Sequence, residues 1–164
     1  MKKFSVLCMA LLLVCALAGC ALENMTPSEI YSAMDGLVQQ LGQSQITDGA
    51  DLIGSRCLNG DGFTGGYVSD CRGNTGRDVV FGGASVERRC ICISGEIKTE
   101  SGSAQIRIRV NEQVTVLDCD PDGRFQTVLS TDSGGSYIMV DYDQFVGTVE
   151  LDLSLIHISE PTRL

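Results

Sequence analysis

The chain reads as an all-β protein, an antiparallel β-sandwich preceded by one short α-helix. Three observations predict this class. Short runs in which apolar and polar residues alternate recur up to Asp152, the period of strands with one buried face. Gly, Asp, Pro and Ser punctuate the runs as turn residues do. Helical periodicity is confined to one stretch near residue 30. A length of 164 residues suits one ordinary domain, and an apolar fraction of 43% supplies a core.

The N-terminus has the order of a targeting segment. Lys2 and Lys3 precede an apolar run from Phe4 to Ala16, which is shorter than the roughly 20 residues a membrane span needs. The run ends in Leu17-Ala18-Gly19-Cys20, which resembles the lipobox of bacterial lipoproteins. That resemblance implies a signal peptide over 1–19, diacylglycerol on the Cys20 thiol and cleavage before Cys20. The protein would then be lipid-anchored in the bacterial cell envelope on the extracytoplasmic side, with the membrane as its first partner.

Residues 20–62 read as anchor, helix and linker. Thr26-Pro27-Ser28-Glu29 supplies an N-cap, a proline at the first helical position and a capping-box glutamate. Ile30, Met34, Leu37, Val38 and Leu41 then recur at helical spacing, which predicts a helix over about 27–41 packed on the domain. The stretch 42–62, rich in Gly, Asp, Ser, Asn and Gln, reads as linker and loop.

The β-sandwich domain is expected over 63–152. Its strands are Arg77–Phe81, Val86–Ile97, Ala104–Val110, Gln113–Cys119, Arg124–Leu129, Tyr137–Tyr142 and Thr148–Asp152. Glu100-Ser101-Gly102-Ser103 and Asp120-Pro121-Asp122-Gly123 read as hairpin turns. From Ser94 to Val149 the order of strand, Asp-Gly turn, Phe-containing strand and Gly-Gly-x-Tyr resembles small bacterial extracellular sandwiches, including the carboxypeptidase-regulatory-like type. At the far end, Leu153 to Arg163 resembles the translation of a sequencing-library adapter. This resemblance sets 153–164 outside the expected domain, as an artefact in a chain whose native form continues differently, and no role is assigned to His157.

Charge narrows the function classes. The formal net charge is −9, and −11 over Cys20–Asp152, which has nine basic and 20 acidic residues. A nucleic-acid partner would require a basic face, and an acidic surface does not seek anionic headgroups, so anchoring falls to the lipid.

Five cysteines follow Cys20. For an extracytoplasmic chain, disulfides are the default for Cys57, Cys71, Cys90, Cys92 and Cys119. Joining Cys57 to Cys71 would close a Gly-rich loop of about 15 residues, worth about 3 kcal/mol in the chain-entropy model. Cys90 and Cys92 share the polar face of one strand, their Cβ atoms about 6.5 Å apart, too far to pair with each other. Ile91, Ile93 and Ile97 take the opposite face. Cys119 would reach Cys90 or Cys92 if its strand lay beside theirs. A thiolate site on Cys90-Ile91-Cys92 is the alternative.

Asp118, Asp120 and Asp122, with Gly123, match the first half of a calcium loop. Leu129 stands where the bidentate glutamate belongs, and Pro121 with the flanking strands favours a plain x-Pro-Asp-Gly turn over calcium. No cofactor is expected unless calcium binds there. No Ser-His-Asp or Cys-His arrangement, P-loop or GxGxxG after a strand is present, so no catalytic residue is assigned. Tyr67, Tyr137 and Tyr142 are expected in packing. The expectation is a non-catalytic interaction module on the cell surface, binding a protein or a glycan. The alternatives are a calcium- or thiol-dependent metal-binding module and the N-terminal part of a longer surface enzyme.

Overall fold

The computed structural model describes residues 26–86, 88–131 and 134–156. Helix α1 (Pro27–Gln43) opens on the expected capping box: the Glu29 amide donates to Thr26 Oγ1, and the Thr26 amide donates to the Glu29 carboxylate at 2.7 Å. Six strands follow: β1 (Ser55–Leu58), β2 (Gly65–Ser85), β3 (Arg89–Val110), β4 (Gln113–Val116), β5 (Arg124–Thr131) and β6 (Gly134–Leu155). All pairings are antiparallel, in the order β1-β2-β6-β3-β4, and β5 lies on β3. The molecule is an all-β, sandwich-like fold with one short helix.

The sandwich arises because β2, β3 and β6 each run through both layers. Register slips fall at Arg72/Asn74 and Asn74/Gly76 in β2, and at Thr99/Ser101 and Ser101/Ser103 in β3. Each slip inserts unpaired residues and bends the strand. Before the bends the core takes odd positions: Tyr67 and Cys71, then Ile91, Ile93 and Ile97. After them it takes even ones, Val80 and then Ile106 and Ile108, while a third slip in β2, at Val79/Phe81, brings Phe81 into the core as well. Strand β6 switches the other way, from Ile138, Val140 and Tyr142 to Phe145, Val149, Leu151 and Leu153, across Gln144 at φ 46°. The first layer holds β1, β5 and the 65–72, 89–99 and 146–155 segments. The second holds β4 and the 76–85, 103–110 and 134–142 segments. The segments of β2, β3 and β6, with Phe125 of β5, share one core, in which each fully buried large apolar side chain is worth about 1.5–3 kcal/mol.

Several expectations change. Glu100–Ser103 is no hairpin turn but the bend within β3. Gly102 sits there at φ 71°, where an added Cβ would lie 2.1 Å from the Gln144 carbonyl oxygen, so the β3 and β6 bends nest against each other. Strand structure begins at Ser55, inside the expected linker, because β1 is a short edge strand with little buried surface and no alternation to read. Strand β6 runs past Asp152 to Leu155, with Leu153 in the core. His157 lies outside the described residues.

The helix also faces a different way. Asp35 and Gly42 point into the fold, whereas Met34, Leu37 and Leu41 are 49%, 64% and 76% exposed. Two interactions set this orientation. The Asp35 carboxylate accepts from Ser85 Oγ at 3.0 Å, the Val86 amide at 2.9 Å and Arg89 Nη2 at 2.9 Å. Nearly two turns on, Gly42 lies so close to β2 that a Cβ would meet the Ala84 nitrogen at 2.1 Å. The seam is built from an ion pair and a bare backbone, so the apolar stripe is left beside it.

Candidate interaction face

The outward side of the second layer is the most distinctive surface among the described residues. Cross-strand register puts Arg77, Asp141 and Gln105 in one row, Val79, Met139, Arg107 and Val116 in the next, and Tyr137, Arg109 and Val114 in a third. Arg77 holds Asp141 through Nε and through Nη2 at 2.7 Å, and Arg107 Nη1 reaches the same carboxylate at 3.1 Å. These guanidiniums, Arg77 first, hold the Asp141 carboxyl below its ordinary range. Arg109 stacks over the Tyr137 ring, 4.4 Å from its centroid, and donates to Gln45. The Tyr137 hydroxyl donates to the Gly42 carbonyl at 3.1 Å, so the helix end is tied to this face.

Three arginines stand against Asp141 and the neighbouring Asp143, so this face carries a small local excess of positive charge on a chain of net charge −9. Val114 and Val116 are exposed beside it, on edge strand β4. A groove of about 440 Å³ runs from Leu41 and Gln45 to Arg109, Asn111 and Tyr137, which joins the patch to the helix. Arginine, aromatic and exposed aliphatic groups on one surface are what protein interfaces enrich.

The outward side of the first layer is different. Cys90 and Cys92 lie there, half-buried, while Ile91 and Ile93 are fully buried on the other side, as the alternation predicts. Gln126 Nε2 donates to Cys92 Sγ at 3.6 Å. Glu96 pairs with Lys98 at 2.7 Å and faces Arg124 at 3.5 Å, with Glu150 across from Glu96 and Asp152 across from Ser94 on β6.

The expected disulfides do not form: Cys57, Cys71, Cys90, Cys92 and Cys119 are all free thiols. Register explains why. Cys57 stands opposite Gly66, and Cys71 lies five positions further along β2, about 16 Å away at the usual strand rise, against the 4.4–6.8 Å a disulfide spans. Strand β4 ends at Val116, so Cys119 stands outside it, next to the Asp120–Arg124 turn that abuts Glu96 and Ile97, four or more positions along β3 from Cys92. Cys71 is buried in the core, and burial pushes its thiol pKa up, which disfavours the reactive thiolate.

The Asp118–Gly123 segment is a turn. The Asp120 side chain accepts from the Asp122 and Arg124 amides at 2.9 and 2.8 Å, and the Gly123 amide donates to the Asp120 carbonyl. Among the described residues, Asp118, Asp120 and Asp122 are not gathered into a metal-holding group. Cys20 lies outside the described residues.

A buried polar cluster that the alternation did not signal sits at the bend of β2. The Asp78 carboxylate accepts from the Ile53 amide at 2.9 Å, the Gly54 amide at 3.2 Å and the Tyr67 hydroxyl at 2.5 Å. The Tyr67 hydroxyl is 2.7 Å from that of Tyr142, which donates to Ser69 Oγ at 2.9 Å. Burial pushes the Tyr142 pKa up to about 12, and raises that of Tyr67 as well. Fully enclosed and fully bonded, this cluster pins the 52–54 loop to the sandwich and offers nothing to a substrate.

The fold thus defines the class as an antiparallel all-β sandwich with a helix docked at one end. No protein-family model matches the chain, and no curated protein matches it.

Proposed function

We infer that the protein is a lipid-anchored interaction module of the bacterial cell envelope, held through Cys20 and binding a protein partner on the outward side of its second layer. The observation that carries the binding face is the contiguous surface of Arg107, Arg109, Val114 and Val116, cationic and apolar together and running into the helix groove. Arginine supplies planar, directional donors, and the exposed valines supply area that gains from burial. The anchor reading rests on Leu17-Ala18-Gly19-Cys20 and the apolar run before it.

Two measurements test the two parts separately. A fatty-acid analogue should label the protein and be lost in Cys20→Ser; label retained in that variant removes the anchor. A photo-crosslinker at Val116 should give a discrete protein adduct on intact cells, while one at Val128, on the other layer, should give none. Equal labelling from both positions, or none from either, removes the assigned face.

A further inference from the structure

We propose that the exposed apolar stripe of α1 lies on the lipid bilayer, so that the helix fixes how the sandwich stands on the membrane. This rests on the lipidation of Cys20. Ile30, Met34, Leu37 and Leu41 fall at i, i+4, i+7 and i+11, a single line along the helix. Met34, Leu37 and Leu41 are largely exposed although Asp35 and Gly42, about a third of a turn round, hold the helix firmly on β2 and β3. The stripe is therefore a fixed outward surface of a docked helix.

Chain length selects the occupant. Cys20 stands six positions before Thr26, a reach of at most about 20 Å when fully extended. A lipid on Cys20 would hold the first turn of α1 within that distance of the headgroups, at high effective concentration. The charge pattern agrees with a neutral lipid surface. α1 contains no Lys or Arg, and of its two acidic residues Asp35 is buried in its ion pair, so contact would come from apolar side chains. A second copy is a poorer occupant. A stable pair needs about 800 Å² from each partner, more than three partly exposed side chains supply.

The test uses the mature lipidated protein in phosphatidylcholine vesicles, with hydroxyl-radical footprinting at Met34, Leu37 and Leu41 and Val128 as the reference. Modification of the three stripe residues should fall several-fold on vesicles relative to the soluble Cys20→Ser protein, with Val128 unchanged. A Leu37→Gln/Leu41→Gln variant, altered only at exposed positions, should still float with vesicles through its lipid. Its Met34 should regain the solution level of modification. Stripe residues that stay fully modified on protein that floats overturn the bilayer contact and leave the anchor standing. Mass analysis showing no lipid on Cys20 overturns both. Protection that appears without vesicles and grows with protein concentration assigns the stripe to a second copy instead, and protection that requires anionic lipid overturns the apolar contact.

Discussion

Asp78 and Asp35 are both buried carboxylates, yet their surroundings differ in kind. Asp78 sits inside the sandwich among neutral donors, two backbone amides and a tyrosine hydroxyl. Asp35 sits at the seam between helix and sheet, where Arg89 supplies a full opposite charge and itself stacks on Phe63 at 5.0 Å. Neutral donors at fixed backbone positions make Asp78 part of the fold itself. An ion pair across a seam joins two elements that are each complete without it, so its loss is felt locally.

Breaking the interior side should cost most. Asp78→Ala leaves the Ile53 and Gly54 amides unsatisfied, at about 1–3 kcal/mol for each buried group left unpaired, and leaves the Tyr67 hydroxyl with Tyr142 alone. Chemical denaturation should show the whole domain destabilised by at least about 3 kcal/mol; a loss under about 1 kcal/mol would refute the comparison. Arg89→Ala comes next, because it strands the Asp35 charge in a site only slightly open to solvent, a change worth about 2–3 kcal/mol once that exposure is allowed for. Hydrogen exchange should rise first in 30–43, with the β2–β6 amides following only at global unfolding. Uniform acceleration would mean that the seam is not a local device.

Titration separates the two sites again. Tyr67 and Tyr142 have raised pKa values in the folded state, so the unfolded chain releases those protons first, near pH 10. Their contribution is complete below about pH 10 and is lost as pH rises from there to about 12 for Tyr142, by about 1.4 kcal/mol per pH unit per tyrosine. Tyr142→Phe should flatten that alkaline slope in denaturation curves; an unchanged slope would place the effect elsewhere. The smallest effect belongs to the open face. Arg77 is about half exposed, so its bonds to Asp141 are screened, and Arg77→Ala should cost under about 1 kcal/mol. Because the Asp141 pKa is lowered on folding, that contribution is present above about pH 4 and disappears as pH falls below it. The variant and the parent should therefore converge in stability at acid pH.

Much of the fold was legible because alternation within each run is a local signal. Ile91 and Ile93 inward with Cys90 and Cys92 outward followed from parity alone, as did Ile106 and Ile108. What alternation does not carry is continuity. The odd-to-even switch across Thr99–Ser103 reads as the end of one strand and the start of another, although backbone pairing with β6 runs on both sides of it. The first half of β2 was missed for a related reason: Ser69 and Cys71 point inward while Val68 is exposed, so side-chain polarity there opposes the actual facing. Of the candidate site, Arg107 and Arg109 were visible only as the polar side of a strand. Their meeting with Arg77, Tyr137 and the helix end depends on register across three strands.

By itself, the sequence determined what few-residue interactions control. Those are the capped start of α1, the β character of the chain and the turn at Asp120, each set by side-chain-to-backbone bonds or by alternation over a few positions. Tertiary structure decided what depends on a neighbour: three strands bent through both layers, five cysteines kept apart, and the apolar side of the helix turned outward. The physical reason is common to all three. A bend needs a partner strand bent at the same place, a disulfide needs its two halves in register, and the facing of a helix is chosen by the strongest contact available. Here that contact is a buried charge pair beside a glycine, and it outweighs the exposure of three apolar side chains.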